Sequence, residues 1–122
     1  MTRRAKVGRL AYLVPAPGIP VRGPSGASAH VRALASAWAD DIDVQVYAAR
    51  RTDKRGTFGE PVPSIACGTP GWPSWLDRYR DVVEVAAARR VANRVIQAAR
   101  HGWVPDVVVE RHSLFSDAGW RV

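Results

Sequence analysis

The sequence holds one cysteine and one methionine, is nearly free of lysine, and contains no long apolar run. A lone Cys67 excludes an intrachain disulfide and any cysteine-based metal site, so a reducing compartment is the expectation. No apolar stretch approaches the roughly 18–20 residues that span a bilayer. The N-terminus, MTRRAKVGRLAYLVPAPG, places basic residues before apolar ones, as a secretory leader does. Its apolar part, Leu10–Val14, falls short of a leader core of about 7–15 residues, and Pro15 ends it. The expected location is therefore the cytoplasm. Internal repeats and low-complexity tracts are also missing.

What is present is ordinary in amount: 122 residues, 47% hydrophobic and 24% charged, enough for one domain with a real core. Net charge is +7 and comes almost entirely from arginine. That balance favours anionic partners such as nucleotides, nucleic acid or an anionic membrane face. The arginines are scattered, in runs no longer than two, as a GC-rich codon bias also produces. No zinc finger or arginine-rich arm accompanies them, so no nucleic-acid partner is expected.

Apolar periodicity divides the chain into alternating strands and helices. Arg9–Val14 reads as strand one, stopped by Pro15 and Pro17. Helix one spans about Gly26–Ala39, with Ala27, Val31, Leu34 and Trp38 on one face. Asp43–Ala48 is strand two, with Val44, Val46 and Ala48 on one side, and Val62–Ala66 is a short third strand near an edge. Between them lies a polar loop carrying Arg50, Arg51, Lys54 and Arg55. A long helix runs from about Ser74 or Trp75 to Arg100, striped by Leu76, Tyr79, Val83, Ala87, Val91, Val95 and Ala98, and Gly102 stops it. Trp72, Trp75 and Trp103 flank this helix as packing staples. Asp106–Glu110 is apolar enough for a strand covered on both faces, and His112–Val122 opens another helix with Ser113 as N-cap. That last element stops almost as it begins, as in a fragment.

The alternation implies right-handed crossovers and a mostly parallel sheet in a Rossmann-like, three-layer α/β sandwich. Ligands of such sheets bind beyond the carboxyl ends of the strands. Two segments reach that edge: Pro15–His30 after strand one and Glu110–Ser113 after strand four. The first is a strand feeding a helix through a Gly- and Pro-rich loop, whose free N–H groups and helix dipole suit an anion. Gly18 and Gly23 have P-loop spacing, but Pro24 stands where the phosphate-reaching lysine belongs, which rejects a Walker-type site. A dinucleotide GxGxxG is absent, although Asp41 or Asp43 has the spacing of a ribose reader. Candidate ligand contacts are Gly23, Ser25, Gly26, Ser28 and His30, with Glu110, Arg111 and His112 from the second segment. Ser25 and Ser28 also read as helix caps, His30 as a capping or packing residue, and Glu110-Arg111-His112 as an exposed strand exit. His101 and Cys67 have no partners at diagnostic spacing, and no metal site is expected.

Two stretches carry a resemblance. AYLVPAPGIPVRGPSGASAHVRAL, within Leu10–Leu34, is similar to the opening of family 4 glycosyltransferases of the GT-B fold, roughly G-x-x-G-A-S-x-H-V-R-x-L. PDVVVERHSLFSDAG, Pro105–Gly119, resembles that family's P-D-hydrophobic-E-R-aromatic-S-L-F segment, with His112 in the aromatic position. Asp40-Asp41-Ile42-Asp43 replaces the Gly-His pair that usually ends helix one. The resemblance implies that residues 1–122 are an incomplete N-terminal lobe, with the C-terminal donor-binding lobe absent. It further implies retaining transfer from a nucleotide-diphosphate sugar, as substrate rather than cofactor, to an unidentified acceptor. Gly23, Ser25, Gly26, Ser28, His30, Glu110, Arg111 and His112 would line half of the cleft. A separate C-terminal lobe is an implied partner, and a membrane-associated acceptor would put the enzyme at the inner membrane face. The competing expectation is a non-catalytic α/β remnant or binding subunit.

Overall fold

The computed structural model of the chain describes residues 6, 8–68, 79–111 and 118–122. Its elements follow as β1 (Arg9–Val14), α1 (Gly26–Ala39), β2 (Asp43–Ala48), β3 (Ser64–Ala66), α2 (Arg80–Arg100), β4 (Val107–Glu110) and α3 (Ala118–Arg121). The four strands form one parallel sheet in the order β3-β2-β1-β4. Arg9 through Val14 pair with Asp43 through Ala48 on one side, and Leu10 through Leu13 with Val107 through Glu110 on the other. The chain thus builds outward from β1 to β3, then returns to add β4 beside β1. That is a Rossmann-like α/β arrangement with its topological switch between β1 and β4.

The layers follow from strand alternation. Leu10, Tyr12 and Val14 join Val44, Val46 and Ala48 beneath Val31 and Ala35 of α1. Ala11, Leu13 and Tyr47 point the other way, against Ala88, Val91, Ala92 and Val95 of α2. A helix on each side explains why β1 is apolar at every position from Leu10 to Val14. Truncating the fully buried Leu13 to alanine would cost about 2–5 kcal/mol.

The elements fall where the periodicity puts them, with four adjustments. The core-facing line of α1 is Ser28, Val31 and Ala35, flanked by the partly buried Leu34 and Trp38, rather than a stripe starting at Ala27. Ser28 replaces an apolar residue because its hydroxyl is satisfied locally by Ser25. The third strand begins at Ser64, since Pro63 can only accept: its carbonyl takes the Val46 N–H at 2.9 Å. In α2 the described helix begins at Arg80, with Tyr79 as an exposed N-cap rather than a stripe residue. Leu76, Trp72 and Trp75 lie outside the described residues. Finally, β4 is an edge strand: Val108 and Val109 pack, partly buried, on opposite faces as its apolar run implies, but Val107 at its start is 52% exposed.

Both ends of the α2–β4 connection are fixed by specific contacts. His101 closes α2 and Gly102 takes φ +98, a conformation that favours glycine. Trp103 then packs beside Tyr47, rings 6.0 Å apart, and its indole N–H donates to the Asp43 carboxylate at 3.2 Å. The staple expected of Trp103 is therefore a contact with β2 as well as with α2. Among the described residues no helix is long and apolar enough to cross a membrane.

Candidate functional site

All four strands point the same way, so their carboxyl ends share one edge. β1 and β4 are neighbours, and the Arg111 N–H extends their pairing by donating to the Leu13 carbonyl at 2.9 Å. The loop after β1 and the segment after β4 therefore leave the sheet side by side. Long-range strand pairing brings together two stretches about a hundred residues apart in sequence.

The loop after β1 is tightly built. Ile19 N–H donates to the Ala16 carbonyl at 3.1 Å and Gly23 N–H to the Pro20 carbonyl at 3.0 Å, closing two successive turns. Between them Val21 and Arg22 donate to the carbonyls of Arg50 and Arg51 at 3.1 and 2.8 Å, which fastens this loop to the exit of β2. Phe58 N–H donates to the Arg22 carbonyl at 2.9 Å, and an Arg22 guanidinium N–H donates to the Gly59 carbonyl at 2.7 Å. The Arg22 Nε is buried without a hydrogen-bond partner, so this residue's charge is fixed in the wall and not fully satisfied there. Arg32 of α1 donates to the Val21 and Gly23 carbonyls at 2.9 and 2.8 Å, so Arg22 and Arg32 act as struts. The sequence presents them as two more arginines in a scattered excess, and only their place in the folded loop sets them apart.

The expected convergence of loop amides on one anion changes with this accounting. Val21, Arg22 and Gly23 spend their N–H groups inside the protein. What remains open is the start of α1. Ser25 is its N-cap, and its hydroxyl oxygen accepts the Ser28 N–H at 3.1 Å while donating to the Ser28 Oγ at 3.1 Å. The Ala29 N–H donates to the Ser25 carbonyl at 3.0 Å. Among the described residues the N–H groups of Gly26 and Ala27 have no acceptor, so the positive end of the dipole is concentrated on these two.

The eight sequence-derived candidates separate by position. Gly26 and His30 are both exposed and one turn apart on α1, on the same helical face and away from the core. A methyl group at Gly26 would meet nothing within 4 Å, so there is open space beside its Cα. Ser25 is exposed beside them as the cap, whereas Ser28 is fully buried and serves the cap from within. Gly23 is buried too, and a Cβ there would lie 2.7 Å from both Pro20 Cγ and Ser28 Oγ. Its small size serves close packing of loop on helix, not access for a ligand.

On the second segment, Val109 packs on the α1 side of the sheet and Val108 on the α2 side, so alternation turns Glu110 toward α2. There its carboxylate accepts the Gly119 N–H of α3 at 2.9 Å. Glu110 therefore shares the sheet edge with Gly26 and His30 but approaches it from the opposite face. Arg111 is half-buried next to it, and His112 lies outside the described residues, as does Ser113. Asp43 begins β2 at the amino edge, within 4.0 Å of the Arg9 guanidinium, which removes it from any ribose-reading position. Asp41 is exposed in the turn before the same strand, equally far from the carboxyl edge.

Among the described residues no group of three or more His, Cys, Asp or Glu side chains is placed to hold a metal. Burial pushes the Cys67 thiol up to about 11, against a smaller opposing effect of Arg94. Such a thiol is a weakened nucleophile near neutral pH. No family model, no curated protein and no solved structure matches the chain.

Proposed function

We propose that the chain is the N-terminal portion of a GT-B glycosyltransferase similar to family 4, which moves a sugar from a nucleotide-diphosphate donor to an acceptor with retention. The observation that supports this reading most is the adjacency of the two stretches that carry the resemblance. Arg111 N–H bonded to Leu13 O puts the exits of β1 and β4 side by side at the topological switch, where α/β sheets receive ligands.

The chemistry asks the site to stabilise a departing diphosphate. Gly26 and Ala27 offer two N–H groups without an acceptor among the described residues, at the positive end of a 14-residue helix. His30, exposed one turn later, is within the same helical face and is suited to orient a hydroxyl of donor or acceptor. Glu110 and Arg111 lie at the same sheet edge, with Glu110 turned to the opposite face. A C-terminal lobe, of the same polypeptide or of a partner, would complete the cleft. The protein works in the cytoplasm, and its basic surface is compatible with an acceptor at the inner membrane face.

Transfer from a panel of UDP- and GDP-sugars, with the chain joined to a second Rossmann-like lobe, tests the reading. Gly26→Val and His30→Ala are each expected to lower kcat about tenfold or more with the thermal midpoint unchanged. Wild-type turnover in both variants would remove the assignment. A second reading is favoured by the internal use of the Val21, Arg22 and Gly23 amides: a non-catalytic binding subunit. It predicts nucleotide-sugar binding with no transfer in any pairing of lobes.

A further inference from the structure

A second space opens at the carboxyl edge, beside β2 rather than β4. It is a cavity of about 490 Å³ walled by the turn Ala16–Ile19, by Arg50 at the exit of β2, and by Val83 and Glu84 in the first turns of α2. That volume suits a small-molecule ligand. The wall is pre-formed on two sides. The Ile19 N–H bonded to Ala16 O holds the turn, and the Arg50 carbonyl is fixed by the Val21 N–H at 3.1 Å. Gly18 has open space where a side chain would begin, and it needs no unusual backbone conformation.

Among the described residues three nearby arginines are committed elsewhere, whereas Arg50 and its neighbour Arg51 are not, and of these two Arg50 lines the cavity. Arg22 is tied to Gly59, Arg32 to Val21 and Gly23, and Arg55 to Asp53 at 3.0 Å. Among the described residues the Arg50 guanidinium has no hydrogen bond or close ion pair, its charge reaching Asp53 only at longer range, and it is exposed and lines the cavity. A planar guanidinium offers two parallel donors matched to a phosphate or carboxylate. Glu84 contributes a carboxylate to the α2 side of the same cavity, which disfavours a second anion there and suits hydroxyl groups.

We propose that this cavity binds a small hydroxylated anion, a sugar phosphate or sugar acid, with its anionic group on Arg50 and its hydroxyls toward Glu84. As the acceptor of the transfer, this ligand rests on the transferase reading; as a binding site, the cavity does not.

Titration of the 122-residue chain, followed by amide chemical shifts, tests it with three probes: glucose 6-phosphate, glucuronate and glucose. At least one of the two anions should bind saturably, at least about tenfold more tightly than glucose, and which one wins identifies the anionic group. Arg50→Gln should weaken that anion about tenfold or more, and Gly18→Leu should do so by occupying the space. Arg55→Gln, whose guanidinium is already held by Asp53, should leave affinity within about twofold. Equal losses from Arg50→Gln and Arg55→Gln would overturn the site in favour of diffuse charge, as would failure of both anions to saturate below about 10 mM. If Gly18→Leu lowers the thermal midpoint, Arg50→Gln decides alone, since Arg50 is exposed. Transfer from the donor panel, by the chain joined to a second Rossmann-like lobe, separates the two readings. Anion binding without transfer from any donor keeps the cavity and removes the transferase. The converse keeps the transferase and removes the cavity.

Discussion

Arg32 holds Gly23 from the second turn of the helix that Gly23 precedes: one guanidinium nitrogen donates to the Gly23 carbonyl at 2.8 Å and to the Val21 carbonyl at 2.9 Å. The loop after β1 is therefore clamped by its own helix. Gly59, at φ +69, packs so closely on the other side of this guanidinium that a Cβ there would fall 2.4 Å from Arg32 Nε. Two loops and one helix meet on a single side chain.

Replacing Arg32 with methionine keeps the apolar stem and removes both bonds. Two charge-assisted hydrogen bonds to partly buried carbonyls suggest a loss of about 2–3 kcal/mol by urea unfolding. Amide exchange at Val21–Gly23 should accelerate beyond what the global loss explains. Unchanged exchange there would show that the turns hold without the clamp.

Gly23 and Gly26 should respond with opposite signs to the same methyl group. At Gly23 the new Cβ would sit 2.7 Å from Pro20 and Ser28, so Gly23→Ala should cost about 1–3 kcal/mol. At Gly26 it would enter open space on the first residue of α1, so Gly26→Ala should stabilise by about 0.5 kcal/mol. Denaturation midpoints of the two variants are the measurement.

Ser25 is the cap of the helix that carries the candidate anion site. Ser25→Ala frees the Ser28 N–H and should cost about 1 kcal/mol, whereas Ser25→Asp should retain the cap. The aspartate also places a negative charge beside the Gly26 and Ala27 amides. It should therefore weaken any nucleotide-sugar binding while stability holds, a split that plain unfolding does not produce.

Cys67 carries a pH dependence with a definite sign. Burial raises its thiol to about 11, so the folded chain keeps a proton that the unfolded chain releases near pH 9. Stability should therefore fall as pH rises from about 9 to 11. Partial exposure limits the loss to on the order of 1 kcal/mol. Tyr47, also raised by burial, adds in the same direction at higher pH. At pH 8 alkylation by iodoacetamide should be roughly tenfold slower than for an ordinary thiol, since a hundredfold smaller thiolate fraction is partly offset by greater nucleophilicity. Cys67→Ala should flatten the alkaline limb of the stability curve.

Trp103→Phe separates ring packing from hydrogen bonding at the β4 approach. The phenyl ring keeps the contact with Tyr47, while the bond to Asp43 is lost, for an expected cost of about 1 kcal/mol. Asp43→Asn in the same background should then cost only what its ion pair with Arg9 contributes, about 0–1 kcal/mol.

Local pattern made the elements legible. The Pro15 stop, the Gly26–Ala39 periodicity and Gly102 after α2 are decisions taken within a few residues, where steric limits and hydrogen-bond spacing act directly. The candidate site was legible in outline for the same reason: a strand, a loop and a capped helix start can be read from Arg9–Trp38. Arg32, Arg50 and the burial of Gly23 were not legible, because their roles depend on which loop lies beside which.

The sequence by itself determined the alternation of strands and helices, the apolar run of β1 and the cap at Ser25. Each follows from side-chain periodicity or from a hydrogen bond spanning three residues. Only the tertiary structure decided the order β3-β2-β1-β4, the exposed edge at Val107, and the turning of Glu110 toward α3. It also decided which amides stay open, leaving Gly26 and Ala27 after the exit of β2 had consumed those of Val21 and Arg22. A backbone donor has one partner at a time, and which one it takes is settled by neighbours distant in sequence.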